Sequence, residues 1–185
     1  MNSYQSQRGS ALIVALLLLI AMTLIGVTTM RTTRLETAMA TNAKESAIAF
    51  EAAEAAIRDA EQFIEGVVSV GAFSSGANGL LCVDNTACPE PDYYAPASWT
   101  AANSQVYGSN PNDPKPALPD VAQQPRYIIK YLGEKQLGST RSVESEDYGT
   151  SGGIEEFSVF RITARGVGRN TSATAIIQTH YGKIF

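Results

Sequence analysis

Cys82 and Cys88 are the residues whose type and spacing best allow a bond to form. The stretch between them, Val83-Asp84-Asn85-Thr86-Ala87, is turn-forming. In a chain exported past a membrane this pair predicts a disulfide, with free thiols as the alternative. It would close a small loop and contribute about 2 kcal/mol. A metal would need a second cysteine pair or a histidine cluster, and the sequence offers neither, so no metal is expected. His180 is the single histidine and falls on an apparent strand, where a structural or exposed role is expected. Asp84, Asn85, Asp92 and the residues from Asn110 to Asp113 carry oxygens that suit Ca²⁺, but their spacing matches no calcium loop and reads as a solvated surface. With no nucleophile elbow and no phosphate loop, the expectation is no catalytic residue, no cofactor and no enzyme.

The chain has 185 residues, enough for one membrane helix and one domain of ordinary size. Charged residues make up 17% and the formal net charge is −4. An acidic balance gives nucleic-acid binding no electrostatic support.

From Ala11 to Met30 there is no charge, and the polar residues are Thr23, Thr28 and Thr29. About twenty apolar residues rising 1.5 Å each cross a bilayer core of about 30 Å. A cleaved secretory signal has a shorter apolar region ending in a small-residue cut site. Here the run is longer and is followed by more helix. A short polar leader, residues 1–9, precedes it and ends in Arg8-Gly9. Arg8 lies on one side of the run and Arg31 and Arg34 on the other, so charge alone does not orient the helix.

This N-terminus resembles the class III leader of type IV pilins and type II secretion pseudopilins. The segments Thr33-Arg34-Leu35-Glu36, Met39-Ala40-Thr41-Asn42 and Ala49-Phe50-Glu51-Ala52-Ala53-Glu54-Ala55-Ala56-Ile57 are similar to the PilX branch of the minor pilins. So is Arg161-Ile162-Thr163-Ala164-Arg165-Gly166. The resemblance implies that a prepilin peptidase cuts after Gly9 and leaves Ser10 as a new N-terminus, which is N-methylated in that family. Glycine suits the cut because it has no Cβ to bar the approach of a protease. The family's topology places the N-terminus in the cytoplasm and the head in the periplasm, on a single-pass inner-membrane helix. After assembly the subunit belongs to the extracellular pilus. Implied partners are other minor pilins, the major pilin, the inner-membrane assembly platform and, as a further candidate, a large tip adhesin. Twitching motility and cell adhesion are the processes such fibres serve.

Downstream, no proline or glycine interrupts residues 32–65. Leu35, Met39, Ala43, Ala49, Phe50, Ala53, Ile57, Ala60 and Ile64 recur at helical spacing and predict one apolar stripe. Glu51, Glu54, Arg58, Asp59, Glu61 and Glu65 fall mostly off it. Glu54 and Arg58 form an i,i+4 pair, and Gly66 suits a helix end. Residues 67–125 are irregular and hold all eight prolines, the single tryptophan Trp99 and the pair Tyr93-Tyr94. These rings are expected to pin the loop onto a sheet. Strands are predicted at residues 126–132, 157–165 and 172–181, with a polar loop at 133–153 carrying Glu144, Glu146 and Asp147, and a turn at 166–170. The expected fold is α+β and pilin-like: a long N-terminal helix packed on an antiparallel sheet of three or four strands. Its parts are a leader (1–9), a membrane and assembly helix (10–31), an amphipathic helix (32–66) and a head (67–185).

The chain departs from the main pilin pattern in two places. Most pilins begin the mature chain with phenylalanine, and this one has Ser10. Major pilins carry glutamate as the fifth residue after the cut, and this one has Val14. The K-type pseudopilin, which caps its fibre, shares the second absence. A priming minor pilin at or near the pilus tip is therefore the leading expectation. The alternatives are a K-type pseudopilin and a pilus-associated adhesin.

Overall fold

The computed structural model describes residues 10–74, 76–111, 113–136 and 156–185. The expected leader at residues 1–9 and the expected loop carrying Glu144, Glu146 and Asp147 lie outside them. The chain divides into two units, Met1–Lys44 and Glu45–Phe185. Helix α1, Ser10–Gly66, contributes to both.

In the first unit α1 is apolar outward. Leu12, Leu19, Met22, Ile25 and Met30 are all more than half exposed. The hydroxyl groups of Thr23, Thr28 and Thr29 donate to the carbonyls of Ile20, Ile25 and Ile25 at 2.8–3.0 Å. Each polar side chain in the run is thus satisfied by its own helix, which lowers its cost in lipid. Thr32, Thr33, Thr37 and Thr41 bond back by four residues in the same way. Leu35 and Met39, predicted to join the packing stripe, are 61% and 64% exposed.

In the second unit a five-stranded sheet covers one face of α1. The strands are β1 (Leu80–Leu81), β2 (Gln105–Val106), β3 (Arg126–Gln136), β4 (Glu156–Val167) and β5 (Thr174–Lys183). The order is β1-β3-β4-β5, with β2 also on β3. The three long strands form an antiparallel meander, with Tyr131 opposite Phe160 and Phe160 opposite Tyr181. The two short ones come from the irregular region, and β1 runs parallel to β3. The α+β reading holds, and the sheet is mixed because the proline-rich segment adds its own strand fragments.

Ala49, Ala52, Ala53, Ala56, Ala60 and Ile64 form the buried helix face. Opposite it lie Tyr127, Ile129, Phe160, Ile162, Ala164 and Phe73. Phe50, placed on this stripe by its spacing, is instead 49% exposed. The reason is the closeness of helix and sheet. Gly166 lies against the backbone of Ala49 and Ala53, where an added Cβ would sit 2.5 Å from the Ala53 nitrogen and closer still to the Ala49 oxygen. Only a small side chain fits where the helix backbone comes this close, as at Ala49 and Ala53. The same contact corrects the expected turn at 166–170. β4 runs on through Val167, and the turn is tied by Gly168 N–H to Ala173 O at 2.8 Å and Ala173 N–H to Asn170 O at 3.0 Å. Gly166 is a strand residue that lets a helix come near.

The far end of α1 has no basic residue in its last turn. Lys183 from β5 supplies one. Its Nζ donates to the carbonyls of Ile64, Glu65 and Val67 at 2.9, 2.7 and 2.8 Å. A cation on the last carbonyls satisfies orphan acceptors and offsets the helix dipole. Lys183→Met is expected to cost about 2 kcal/mol. Amide exchange in the last turn of α1 should rise with the loss, and a variant as stable as wild type would show the cap to be idle.

Candidate functional site

Among the described residues no group of three or more His, Cys, Asp or Glu is placed to hold a metal. The features that remain are the apolar half of α1 and the devices that hold residues 67–125 on the sheet.

Cys82 and Cys88 are joined by a disulfide across 5.5 Å between Cα atoms. Cys88 is buried with Leu81, Trp99 and Ile128 in a small cluster on the sheet face away from α1. Trp99 is 5% exposed, and its Nε1–H donates to Tyr93 O at 2.8 Å. The tryptophan therefore pins the loop, as expected, whereas Tyr94 is 88% exposed.

A charged clasp holds the disulfide loop. Lys130 on β3 and Arg161 on β4 stand opposite each other. Two cations there would repel, and Glu90 answers both. Lys130 Nζ is 3.0 Å from the Glu90 carboxylate, and Arg161 also pairs with it. Lys130, 3% exposed, further donates to Asn85 within the disulfide loop. The Arg161 hydrogen bond, seconded by Lys130, holds the Glu90 carboxyl below its ordinary range against the effect of burial. A depressed carboxyl stabilises the fold above its unfolded pKa and loses that contribution as pH falls through the folded value. The Glu90 contribution to the clasp is thus present at neutral pH and is expected to fall away as the carboxyl protonates in acid.

A buried carboxylate on α1 forms a second device. Asp59, expected on the polar side of the helix, is fully buried. Its Oδ2 accepts the N–H of Gly108 at 2.9 Å, and its Oδ1 lies 3.1 Å from Lys115 Nζ. Lys115 also donates to Gln62. Gly108 has φ +75°, and a Cβ there would meet Lys115 O at 2.5 Å, so the residue must be glycine. Burial, with Asp59 nearby, pushes the Tyr127 phenol up. A signal was present in the sequence: Asp59 follows Ala52 and Ala56 in phase with the buried alanines. Its partners lie 49 and more residues away in a proline-rich loop and carry no pattern.

In α1, Val14 is 55% exposed, and no acidic residue occupies the first turn. Ser10 begins the helix, and Gly9 lies outside the described residues. The helix is long and apolar enough to cross a membrane, and its most apolar stretch is not buried against the rest of the chain. A family model described as PilX N-terminal matches residues 8–58. A second, described as Type IV pilus assembly protein PilX C-term, matches residues 81–183.

The chain belongs to the PilX family. It is a minor pilin of the type IV pilus, a structural component of the fibre. The N-terminal match takes in Arg8, Gly9 and Ser10 and ends inside the alanine face of α1. The C-terminal match opens at Leu81, beside Cys82, and closes at Lys183, the helix-capping lysine of the PilX head. Asp59 falls between the two. One apolar N-terminal helix and membership of this family fit a single-pass membrane-anchored pilus component. No curated protein and no solved structure matches the chain.

Proposed function

We propose that this PilX-family protein primes pilus assembly and stays at or near the tip. In this reading a prepilin peptidase removes residues 1–9 by cutting after Gly9. Ser10 becomes the N-terminus, the apolar part of α1 spans the inner membrane with the head in the periplasm, and the mature subunit passes into the extracellular pilus.

Val14 is the observation that carries the reading. Leaving the bilayer for a fibre core exchanges one apolar environment for another. Packing and a few polar contacts then decide the outcome. A glutamate at the fifth mature position would be costly in lipid unless it met a neighbour's terminal amine. Val14 sits easily in lipid and captures no amine. A subunit at the start of a fibre has no earlier neighbour and needs no capture, so Val14 supports a place there. The match to a pilus family favours this over the K-type pseudopilin of type II secretion.

Val14→Glu tests it. The variant is expected to spread along the fibre shaft and to lower fibre number, read by immunogold labelling and pilus counts. A variant like wild type in both would overturn the argument from charge pairing.

A further inference from the structure

β5 is the long edge of the sheet. Its residues pair with β4 from Thr174 to Lys183, and among the described residues no strand pairs with its other side. Such an edge presents a row of free N–H and C=O groups. Natural sheets guard long edges with proline, a bulge, a charge or a covering element. Between Thr174 and Tyr181 β5 has no proline, no register shift and no charged side chain apart from what His180 can carry. The ammonium of Lys183 is taken up by the helix carbonyls. The other flank of the sheet is treated differently, since β1 and β2 both pair with β3 there.

The helix beside this edge is prepared for a further strand. A cleft of about 370 Å³ lies between α1 and β5, lined by Glu54, Ile57, Glu61, Ile177 and Thr179 among others. Ile57 and Ile177 are half-buried and give it an apolar floor. One more strand would complete their burial. Arg58 is held by Glu54 at 3.2 Å, so Glu61 leaves the rim net negative.

We propose that β5 and the adjoining wall of α1 receive an extended strand from another protein, one that alternates apolar and basic residues. Main-chain bonds to the edge would give affinity, and the apolar floor and acidic rim would give register and choice. A second copy of β5 fits less well. Antiparallel edge-to-edge pairing would set both helices on one face and bring the two acidic rims together. The inference rests on the sheet edge and not on the priming role, and its test reads binding without any pilus.

The test uses the full chain in lipid nanodiscs with three labelled peptides: alternating valine and lysine, the same peptide with a central proline, and alternating valine and glutamate. Binding is read by anisotropy and amide exchange. The valine–lysine peptide is expected to bind and to slow exchange between Thr174 and Tyr181. The double variant Glu54→Lys, Glu61→Lys should weaken it about tenfold and admit the valine–glutamate peptide. Four results would overturn the proposal. They are no slowing on β5, equal slowing by the proline peptide, indifference to charge reversal, and slowing that follows protein concentration without peptide, which would indicate a second copy.

Discussion

Gly166→Val is expected to unfold the Glu45–Phe185 unit. Its Cβ would enter the space of the Ala49 carbonyl and reach 2.5 Å from the Ala53 nitrogen. Both obstacles are main-chain atoms of a helix, so neither can rotate away. The helix would have to lift off β4, which opens the cluster of Ala56, Ala60, Ile64, Phe160 and Ile162. Overpacking a close-packed core usually costs about 1–3 kcal/mol. Here the clash is with backbone and two further methyl groups follow the Cβ, so a loss above about 4 kcal/mol is expected. Domain stabilities are themselves about 5–15 kcal/mol. Near-UV circular dichroism and thermal melts of the full chain in detergent would read it. Gly71→Ala is the control: its Cβ would meet only the Ser69 hydroxyl at 3.4 Å and should change little. A Gly166→Val protein that melts within a few degrees of wild type would show that the helix does not ride on this glycine.

The second large effect belongs to Asp59 and Lys115. Lys115→Met would leave the Asp59 carboxylate fully buried with the Gly108 N–H as its remaining close donor. Breaking a buried pair by removing one partner costs about 3–5 kcal/mol, because the other charge stays desolvated. Asp59→Leu should cost less. Lys115 is 20% exposed and can turn its ammonium to water, which leaves the unsatisfied Gly108 N–H as the main penalty, about 1–3 kcal/mol. The double variant Asp59→Leu, Lys115→Met should then be more stable than Lys115→Met alone. Denaturant unfolding of the four proteins closes the cycle. Additive losses would mean that the two side chains do not act as a pair.

The two cases show where sequence reading stops. The helix, the three long strands and the α+β class were legible because each rests on a local period. The apolar run from Ala11 to Met30 and the alternation at Phe157–Arg165 do not depend on what they pack against. At Phe50 the sequence points to the wrong helix face, since hydrophobicity favours phenylalanine over alanine. The close approach of Gly166 favours the reverse. Gly166 itself resembled a turn residue because glycine suits both a turn and a tight contact, and only the contact partner tells them apart. Asp59, Lys115, Glu90 and Lys130 were opaque for a different reason. Their partners are brought together by the path of residues 67–125 over the sheet, and that path has no periodicity to read. Trp99 was placed correctly in kind because a single large ring in a polar loop has little else to do than seek an apolar surface. For the proposed function the signal is an absence, Val14 where major pilins carry an acid, five residues after the proposed cut at Gly9.

The central claim is that this PilX-family chain starts pili and needs its leader removed to do so. Surface pili counted by electron microscopy in a strain lacking the chain test it most directly, with wild type and Gly9→Val supplied in turn. A β-branched side chain at the cut should block processing, so loss of pili is expected in the strain without the chain and in the Gly9→Val strain, and recovery with wild type alone. Normal pilus numbers in the absence of the chain would contradict the account.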